Sequence, residues 1–236
     1  MYQMESTVRF SEADQNGQLN MYTLLNYFQD CSTQQSETLN VGVEALHQKN
    51  LVWVVSTWNI QVNRFPALGE KIIVGTFPYD YRAFFGRRNF LMKTADGEIL
   101  AMADSLWTLL NYETNTPETV TDDIIAGFEM EEKLPMDYIK SRISRPKDMV
   151  KLADILVMPY HLDANMHVNN GRYLQMALPY LPSIPFTGFR AEYRKMVRLG
   201  DTLSIFGALA SDNDIPFTLI FKNSEDEITT IMEFTK

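Results

Sequence analysis

The sequence predicts an α+β fold in which one structural unit, a helix followed by antiparallel strands, occurs twice in a single chain. The first part of the 236-residue sequence begins with a long stretch whose apolar residues recur at helical spacing. Several strand-like apolar stretches follow, and residues typical of turns separate them. The same order returns in shorter form towards the C-terminus. Because a repeated order of elements indicates a repeated fold, we expect an internal duplication.

The first copy begins with a predicted helix. It spans residues 20–39, where Leu24, Phe28 and Cys31 recur at helical spacing and Asn20 can cap the start. Strands are expected at 51–62, at 71–77 and within 87–110, the last of which is divided by a turn at Asp96 and Gly97. The first half is therefore one long helix followed by several antiparallel strands.

A change in composition follows the first copy. Residues 114–150 are rich in charge and proline and lack strand-like alternation, so we expect a linker with some helix. Beyond it the chain repeats the earlier order, with a strand at 155–160 and a short helix at 171–178 that Pro179 stops. Further strands are expected within 191–210, at 215–221 and at 228–235.

Two pairs of segments match position by position between the halves. Residues 14–20, DQNGQLN, align with residues 163–169, DANMHVN, and each leads into the helix of its half. Residues 64–70 likewise align with residues 195–201. A helix wrapped by a strongly curved antiparallel sheet is the hotdog unit, so the sequence predicts a tandem hotdog, a pseudo-dimer within one chain. We expect an N-terminal hotdog at 1–113, a linker at 114–150 and a C-terminal hotdog at 151–236.

Composition limits the classes of function. A formal net charge of −9 argues against nonspecific nucleic-acid binding, which needs a surplus of Lys and Arg. One cysteine and three histidines make a disulfide or a metal site unexpected, and no cofactor is predicted. The N-terminal residues resemble neither a signal peptide nor a transit peptide, and no apolar run is long enough for membrane insertion. We therefore expect a cytoplasmic protein.

Basic residues form two local clusters on this acidic chain. Between Lys140 and Lys151, five basic residues accompany one acidic residue, and a second cluster begins at Arg190. Such clusters can steer an anionic partner towards a protein. Ordinary solvated side chains would give the same pattern, so the sequence leaves both interpretations open.

Three polar residues in the second of the matching loops form the candidate catalytic set. Asp163, Asn165 and His167 occupy every second position, so in an extended segment 162–168 their side chains would share one face. The helix expected to begin near Asn169 would present unpaired backbone N–H groups beside them. A carboxylate, an amide, an imidazole and a helix N-terminus together suit the attack of water on a carbonyl group.

The same residues also have a purely structural interpretation, because Asp and Asn are common in turns and helix caps. The comparison between the halves favours chemistry. The first loop retains Asp14 and Asn16 but has Gln18 at the position of His167, and an amide cannot act as an acid or a base. One histidine in two otherwise parallel loops indicates a site in the second half alone.

These features resemble the acyl-acyl-carrier-protein thioesterases of plants and bacteria over nearly the whole chain, and the absence of a transit peptide favours a bacterial member. Residues 163–173 match the family element D-x-N-x-H-V-N-N-x-x-Y. Close counterparts in the first half are residues 51–70, 87–88, 96–98 and 105–114. The resemblance implies that Asp163, Asn165 and His167 form the hydrolytic site, while the first half mainly shapes a tunnel for the acyl chain.

The sequence departs from the plant members at one place. Their strand continues with Glu-Cys where this chain has Met196 and Val197. A cysteine nucleophile at this position is thereby excluded, and the glutamate proposed to activate water in the family is also missing. Asp163 is then the best candidate carboxylate. Glu192, expected on the same strand face as Met196, is a weaker accessory candidate, as is Asn169.

The resemblance implies hydrolysis of a fatty acyl thioester on acyl carrier protein, with release of the fatty acid. Because that carrier is itself acidic, the basic clusters become candidates for docking it. The residues chosen for this role are Arg142, Arg145, Lys147, Arg194 and Arg198. Two alternatives stay open, an acyl-CoA thioesterase and a noncatalytic acyl-binding protein of the same fold. The sequence is also compatible with a homodimer.

Overall fold

The computed structural model describes residues 1–139, 142–182, 186–208 and 217–235. Within these residues the α-helices are α1 (Met21–Thr38), α2 (Val43–His47) and α3 (Asn170–Ala177). The strands of the first half are β1 (Tyr2–Thr7), β2 (Leu51–Val62), β3 (Lys71–Arg82), β4 (Phe85–Thr94) and β5 (Ile99–Asn111). Those of the second half are β6 (Val150–Leu156), β7 (Gly188–Tyr193), β8 (Thr202–Ala208), β9 (Phe217–Lys222) and β10 (Ile228–Thr235). Short 3-10 helices lie at Phe10–Glu12, Pro159–His161 and Leu178–Tyr180.

The chain divides into two compact units. The first comprises Met1–Ser56 and Ile60–Tyr138, and the second comprises Thr57–Asn59 and Ile139–Lys236. Both consist mainly of antiparallel strands with few helices, so the predicted α+β class is confirmed. No helix in the described part of the chain is long and apolar enough to span a membrane.

In the first unit, the strands lie side by side in the order β1, β3, β4, β5, β2. The pairs β1–β3, β3–β4 and β4–β5 are antiparallel. Helix α1 packs against β1 and β3 with an apolar face that includes Leu24, Phe28 and Cys31. The ring of Phe28 also meets that of Phe90 in β4, with 5.4 Å between the centroids. Burial of this apolar face holds the helix on the sheet.

In the second unit, the strands lie in the order β7, β10, β9, β8, β6, and each neighbouring pair is antiparallel. Helix α3 is shorter than α1 and buries Tyr173 and Leu174. The ring of Tyr173 meets Phe221 of β9 edge to face, with 5.4 Å between the centroids. The second unit therefore repeats the helix-on-sheet packing of the first with a smaller helix.

Most predicted elements are confirmed. The helix expected at 20–39 is α1, the strands expected at 51–62 and 228–235 have the bounds of β2 and β10, and the helix expected at 171–178 is α3. The turn at Asp96 and Gly97 separates β4 from β5. Residues 209–210 and 215–216, which were expected in strands, lie outside the described residues. Strand β1 and helix α2 were not predicted, and β1 has no fully buried residue that would have revealed it.

Two local predictions were wrong. The strand expected at 155–160 is the end of β6 followed by the 3-10 helix Pro159–His161. Proline lacks the N–H of a strand ladder and suits the first turn of a helix, which explains the difference. The helix expected in the linker is absent from the described residues 114–139 and 142–149, which form turns and irregular structure.

Candidate active site

The loop that contains the candidate catalytic residues is a tight turn. The N–H of Asp163 donates to the carbonyl of His167 at 2.9 Å, and the N–H of Met166 donates to the carbonyl of Asp163 at 3.0 Å. Met166 has a left-handed backbone conformation with φ +61°. The prediction that 162–168 is extended, with three side chains sharing a face through strand alternation, was therefore wrong.

The carboxylate of Asp163 explains why the segment turns. Its Oδ1 accepts the N–H of Asn165 at 2.9 Å and the N–H of His167 at 3.4 Å. An Asp side chain that bonds the backbone two residues further on stabilises a turn in place of a strand ladder. Leu162 and Val168 close the loop as an isolated antiparallel bridge. The turn brings Asp163, Asn165 and His167 together, each of them half-buried.

The matching loop of the first unit has the same hydrogen bonds. Oδ1 of Asp14 accepts the N–H of Asn16 at 2.8 Å and the N–H of Gln18 at 2.9 Å. The N–H of Asp14 donates to the carbonyl of Gln18 at 2.7 Å. Gly17, with φ +72°, occupies the position of Met166. The predicted match between the loops is thus confirmed at the level of single hydrogen bonds, and the turn itself does not depend on a histidine.

The second pair of matching segments anchors these loops in the same way. The N–H of Val168 donates to the carbonyl of Val197 at 3.0 Å, and the N–H of Leu19 donates to the carbonyl of Pro66 at 2.9 Å. Val197, which stands where plant members have cysteine, is therefore directly beside the candidate loop. It is buried there as an apolar residue, with 2% of its surface exposed.

Asn169 is the N-cap of α3. Its Oδ1 accepts the N–H of Gly171 at 2.9 Å, and its own N–H donates to the carbonyl of His161 at 2.9 Å. Its counterpart Asn20 has no side-chain cap bond to α1; its Nδ2 donates instead to the carbonyl of Glu12 at 2.8 Å. A side-chain cap at the helix start, like the histidine, thus distinguishes the second loop from the first.

His167 has a lowered pKa. Burial lowers the pKa of its imidazole, the negative charge of Asp163 raises it, and the positive charge of Arg198 lowers it further. The histidine is therefore neutral at neutral pH, and a neutral imidazole has a nitrogen that can accept a proton or a hydrogen bond. The same effect places Arg198, a predicted docking residue, within electrostatic reach of the loop.

Glu192 is a buried carboxylate with hydrogen-bond partners at both oxygens. Its Oε1 accepts the N–H of Ile143 at 2.5 Å. Its Oε2 accepts from Arg194 twice, at 2.7 Å from Nη2 and at 3.2 Å from Nε. Three hydrogen bonds thus use most of the roughly four acceptor sites of the carboxylate and hold its side chain in place.

The strand that carries Glu192 ends sooner than expected. β7 ends at Tyr193, so Met196 lies beyond the strand and does not share its face with Glu192. The regular pairing of β7 with β10 ends here because the N–H groups of Arg194 and Lys195 both donate to one carbonyl, that of Thr229, at 2.8 and 3.3 Å. The predicted face sharing was therefore wrong, because strand alternation does not continue past this irregularity.

The predicted docking residues all lie exposed in the second unit; they are Arg142, Arg145, Lys147, Arg194 and Arg198. Lys140, which was counted in the same basic cluster, lies outside the described residues. Arg194 forms an ion pair with Glu192 at 2.7 Å. Lys222, and after it Arg145, lower the pKa of the Asp226 carboxyl, so one acidic residue lies near this basic surface.

Two residues outside the predicted catalytic set, His161 and Tyr193, also shape the site. His161 is buried, and its Nδ1 accepts the N–H of Met158 at 3.0 Å, much as the carboxylate of Glu12 accepts a backbone N–H in the first unit. The hydroxyl of Tyr193 donates to the carbonyl of Asn170, the first residue of α3, at 3.1 Å. Extending the comparison of the halves upstream of the loops would have revealed the role of His161.

Metal-binding and thiol groups are scarce in the described part of the chain. There, no group of three or more His, Cys, Asp or Glu side chains is arranged to hold a metal ion. Cys31 is buried in the first unit, where burial raises the pKa of its thiol to about 12. The thiol is protonated at neutral pH and donates to the carbonyl of Val74 at 3.4 Å.

Comparisons with known sequences agree with these features. Two family models match the chain, the acyl-ACP thioesterase N-terminal domain at residues 1–128 and the acyl-ACP thioesterase C-terminal domain at residues 144–236. The chain is 26% identical over 225 residues to the chloroplastic acyl-acyl-carrier-protein hydrolase FATB3 of Cuphea viscosissima, covering 88% of this chain and 55% of that protein. It is 23% identical over 198 residues to oleoyl-acyl carrier protein thioesterase 1 of Arabidopsis thaliana, covering 77% and 55%. The chain thus spans about half the length of these curated relatives.

Solved structures give the same result. An acyl-ACP thioesterase from Bacteroides thetaiotaomicron is 25% identical with a TM-score of 0.89, and the match covers 99% of this chain and 96% of that one. The 12:0-ACP thioesterase from Umbellularia californica has a TM-score of 0.85 over the same shares, and at 19% identity it supports the fold alone. With both halves matched by the two domain models, the chain belongs to the acyl-ACP thioesterase family.

Proposed function

We propose that the protein hydrolyses fatty acyl-ACP thioesters to free fatty acid and holo-ACP in fatty acid biosynthesis. The observation that carries the proposal is the match of both thioesterase domain models, one of which contains the turn of Asp163, Asn165 and His167. The names of the curated relatives and of the Bacteroides structure support the same reaction. No cofactor or metal is needed for it.

The proposed architecture is a tandem hotdog. The N-terminal copy covers 1–113 and shapes the acyl tunnel, the linker covers 114–150, and the C-terminal copy covers 151–236 and is catalytic. The repeated hydrogen bonds of the two loops support two copies of one unit. The presence of His167 in the second loop, where the first has Gln18, supports the division of labour.

In the proposed mechanism, the thioester is hydrolysed within the C-terminal copy by one of two routes. Asp163 takes a proton from a water molecule that attacks the thioester carbonyl carbon, or attacks this carbon itself to give an anhydride that water then opens. In the first route the C–S bond breaks when the tetrahedral intermediate collapses, and the carrier thiolate takes the proton held by Asp163. In the second route the C–S bond breaks as the anhydride forms, and the water that later opens the anhydride supplies the proton that the thiolate takes up. Because Oδ1 of Asp163 already accepts two backbone N–H groups, Oδ2 is the oxygen assigned to this step.

The neighbouring groups would orient the reactants and stabilise the charge that develops. Asn165 and His167 would hold the water and the thioester, and the neutral imidazole expected from its lowered pKa fits that role. Backbone N–H groups at the start of α3 would bind the oxyanion, and the Asn169 cap fixes that start. Asn169 therefore acts on the geometry of the helix, and we assign it no direct part in the reaction.

The proposed partner is acyl carrier protein, an acidic protein that an enzyme of net charge −9 must meet through a local basic surface. We assign this surface to the exposed residues Arg142, Arg145, Lys147, Arg194 and Arg198. A cytoplasmic location and a homodimer are further predictions from the sequence that accompany this proposal.

A turnover profile tests the proposed function. We would measure kcat/KM for saturated and unsaturated acyl groups of graded length, each joined either to acyl carrier protein or to CoA. Higher values for the carrier-bound series would support the proposal. Preference for the CoA series would make the protein an acyl-CoA thioesterase, and tight acyl binding without hydrolysis would make it a noncatalytic acyl-binding protein.

A further inference from the structure

The basic segment that precedes β6, residues 142–149, is held near its start by Glu192. The N–H of Ile143 donates to Oε1 of this carboxylate, which belongs to a buried residue of β7. Residues 142–149 form no helix or strand, so they have no ladder of hydrogen bonds along them to fix their position. A charge-assisted hydrogen bond in a buried setting is therefore a major local restraint on the segment.

The side chain of Ile143 adds a second restraint. It has 4% of its surface exposed and packs with Ile220 of β9 and Ile231 of β10. The residues on either side, Arg142 and Ser144, are exposed. The backbone and side chain of Ile143 thus hold the start of the segment, and the partly buried Met149 packs against the same cluster at its end.

The other oxygen of Glu192 organises a second basic residue. Oε2 accepts hydrogen bonds from both Nη2 and Nε of Arg194, and two donors of one planar group bonded to a single oxygen restrict the plane of the guanidinium group. The side chain of Arg194 keeps 34% of its surface exposed while that of Glu192 has 11%. One buried carboxylate therefore holds Arg194 and the Arg142–Ile143 backbone in a fixed relation, with positive groups directed towards solvent.

We propose that Glu192 is a positioning residue for docking: it preorganises the basic surface of Arg142, Arg145, Lys147 and Arg194 for an acidic carrier protein. The inference rests on the proposed function for the identity of the partner. It differs from the accessory catalytic role expected from the sequence, because the donors at both carboxylate oxygens belong to the basic surface. A preorganised surface loses less side-chain and loop freedom on binding, which strengthens association.

The test compares two carboxylate–arginine ion pairs in the same unit, each with a largely buried carboxylate. Glu192→Gln removes the charge that holds Arg194, and it replaces the charged acceptor of the Ile143 N–H with a neutral amide oxygen, which accepts a weaker hydrogen bond. The matched control is Glu233→Gln in β10, where the carboxylate pairs with Arg190 at 2.9 Å and the two side chains have 15% and 13% of their surface exposed. Both variants lose one buried negative charge, but only the first touches the basic segment.

Two kinetic series and one binding measurement follow from this design. The substrates are acyl carrier protein bearing a fatty acyl chain and a small acyl thioester that lacks the carrier. Glu192→Gln is expected to raise KM for the carrier-bound substrate by about fivefold or more, with kcat and the small thioester nearly unchanged. Fluorescence anisotropy with a carrier bearing a non-hydrolysable acyl thioether should show the same loss of affinity. Glu233→Gln should change neither.

Several outcomes would overturn the inference. An equal fall of kcat on both substrates would make Glu192 part of the chemistry, and unchanged carrier binding would remove it from docking. Hydrogen exchange gives an independent readout, since the amide of Ile143 should exchange at least about tenfold faster in Glu192→Gln than in Glu233→Gln. If the wild type hydrolyses no thioester and Glu192→Gln still weakens carrier binding, the proposed function fails while the docking role stands.

Discussion

Asp163 and Asp14 hold their loops with the same pair of backbone hydrogen bonds. In each case one carboxylate oxygen accepts the N–H groups two and four residues further along the chain. Only the loop of Asp163 contains a histidine. The two aspartates therefore allow the structural contribution of this carboxylate to be separated from a chemical one within a single protein.

Replacement of each aspartate by alanine is expected to have equal structural and unequal catalytic effects. Asp163→Ala and Asp14→Ala should each lower the free energy of unfolding by about 1–3 kcal/mol, since each removes a charged acceptor of two hydrogen bonds. Asp163→Ala should also lower kcat/KM by about a hundredfold or more, whereas Asp14→Ala should keep most of the activity. Urea unfolding would measure the loss of stability in both variants, and steady-state kinetics would measure kcat/KM. Normal turnover in Asp163→Ala would show that Asp163 has no catalytic role.

Asp163→Asn separates the two roles further. An asparagine oxygen can still accept the N–H groups of Asn165 and His167, so the turn and the stability of the protein should be nearly retained. The amide cannot take a proton, so kcat should fall by about a hundredfold or more if the carboxylate is the base or the nucleophile. Full activity in this variant would mean that Asp163 serves only to hold the turn.

The sequence predicted the duplication but not the conformation of the loop. Matching residues in two halves of one chain indicate matching folds whatever their local structure, which explains why the repeat was found. The alternation of residues 162–168 favours a strand, yet the side chain of Asp163 accepts the backbone N–H of Asn165. This local hydrogen bond stabilises a turn in place of strand pairing. The early end of β7 depends on a shared acceptor, Thr229, that is distant in sequence and could not be read from the local pattern.

The left-handed position in the two loops provides a second pair of matched variants. Gly17 has φ +72° and open space where a Cβ would stand, so Gly17→Ala should lower the free energy of unfolding by about 1–2 kcal/mol through backbone strain alone. At the matching position, Met166→Gly removes such strain at φ +61° and should leave stability unchanged or raise it by up to about 1 kcal/mol. Urea unfolding measures both. Equal destabilisation by the two changes would contradict the explanation.

The lowered pKa of His167 predicts the acid side of the pH profile. If the reaction needs the neutral imidazole, kcat/KM should fall as the pH drops through a value below 6.5, the ordinary pKa of histidine.

The same lowered pKa predicts how stability depends on pH. Because the unfolded chain binds the imidazole proton of His167 more readily than the folded chain does, the contribution of His167 to the free energy of unfolding is full above pH 6.5. It decreases as the pH falls from there through the lower folded pKa.

A charge change near His167 tests this assignment. Arg198→Gln removes a positive neighbour, so the pKa of His167 should rise and the acid limb of kcat/KM should move to higher pH. Arg172→Gln is the control, since Arg172 acts on the pKa of His161 instead. A small thioester without carrier is the proper substrate, because it separates the titration from docking. An unmoved acid limb in Arg198→Gln would assign that limb to another group.

The buried guanidinium of Arg88 predicts that Arg88 and Gln35 of the first unit are energetically coupled. Arg88 donates to Oε1 of Gln35 at 2.5 Å and to Oγ1 of Thr76 at 3.1 Å, and it lies 5.1 Å from the ring centroid of Phe128. Gln35→Leu should cost about 1–3 kcal/mol of unfolding free energy, since it leaves a buried donor without its acceptor.

The double variant Gln35→Leu with Arg88→Met completes a cycle on the same pair. It removes both polar partners and places apolar groups in their space, so it should recover much of the stability lost in Gln35→Leu. Urea unfolding of the wild type, the two single variants and the double variant gives the coupling energy. Strictly additive losses would show that the hydrogen bond between these side chains contributes little to the fold.

The last prediction concerns the basic surface and its dependence on salt. Arg142→Glu combined with Arg145→Glu should raise KM for carrier-bound substrate, most steeply at low ionic strength, where charges interact over the longest distance. The small thioester should be hydrolysed as before. Arg82→Glu combined with Arg9→Glu is the control, since both residues are exposed in the first unit and the net charge changes by the same amount. If both pairs weaken carrier binding equally, the effect comes from overall charge and not from this surface. A KM increase confined to the first pair and suppressed by salt would assign carrier docking to the segment that Glu192 holds.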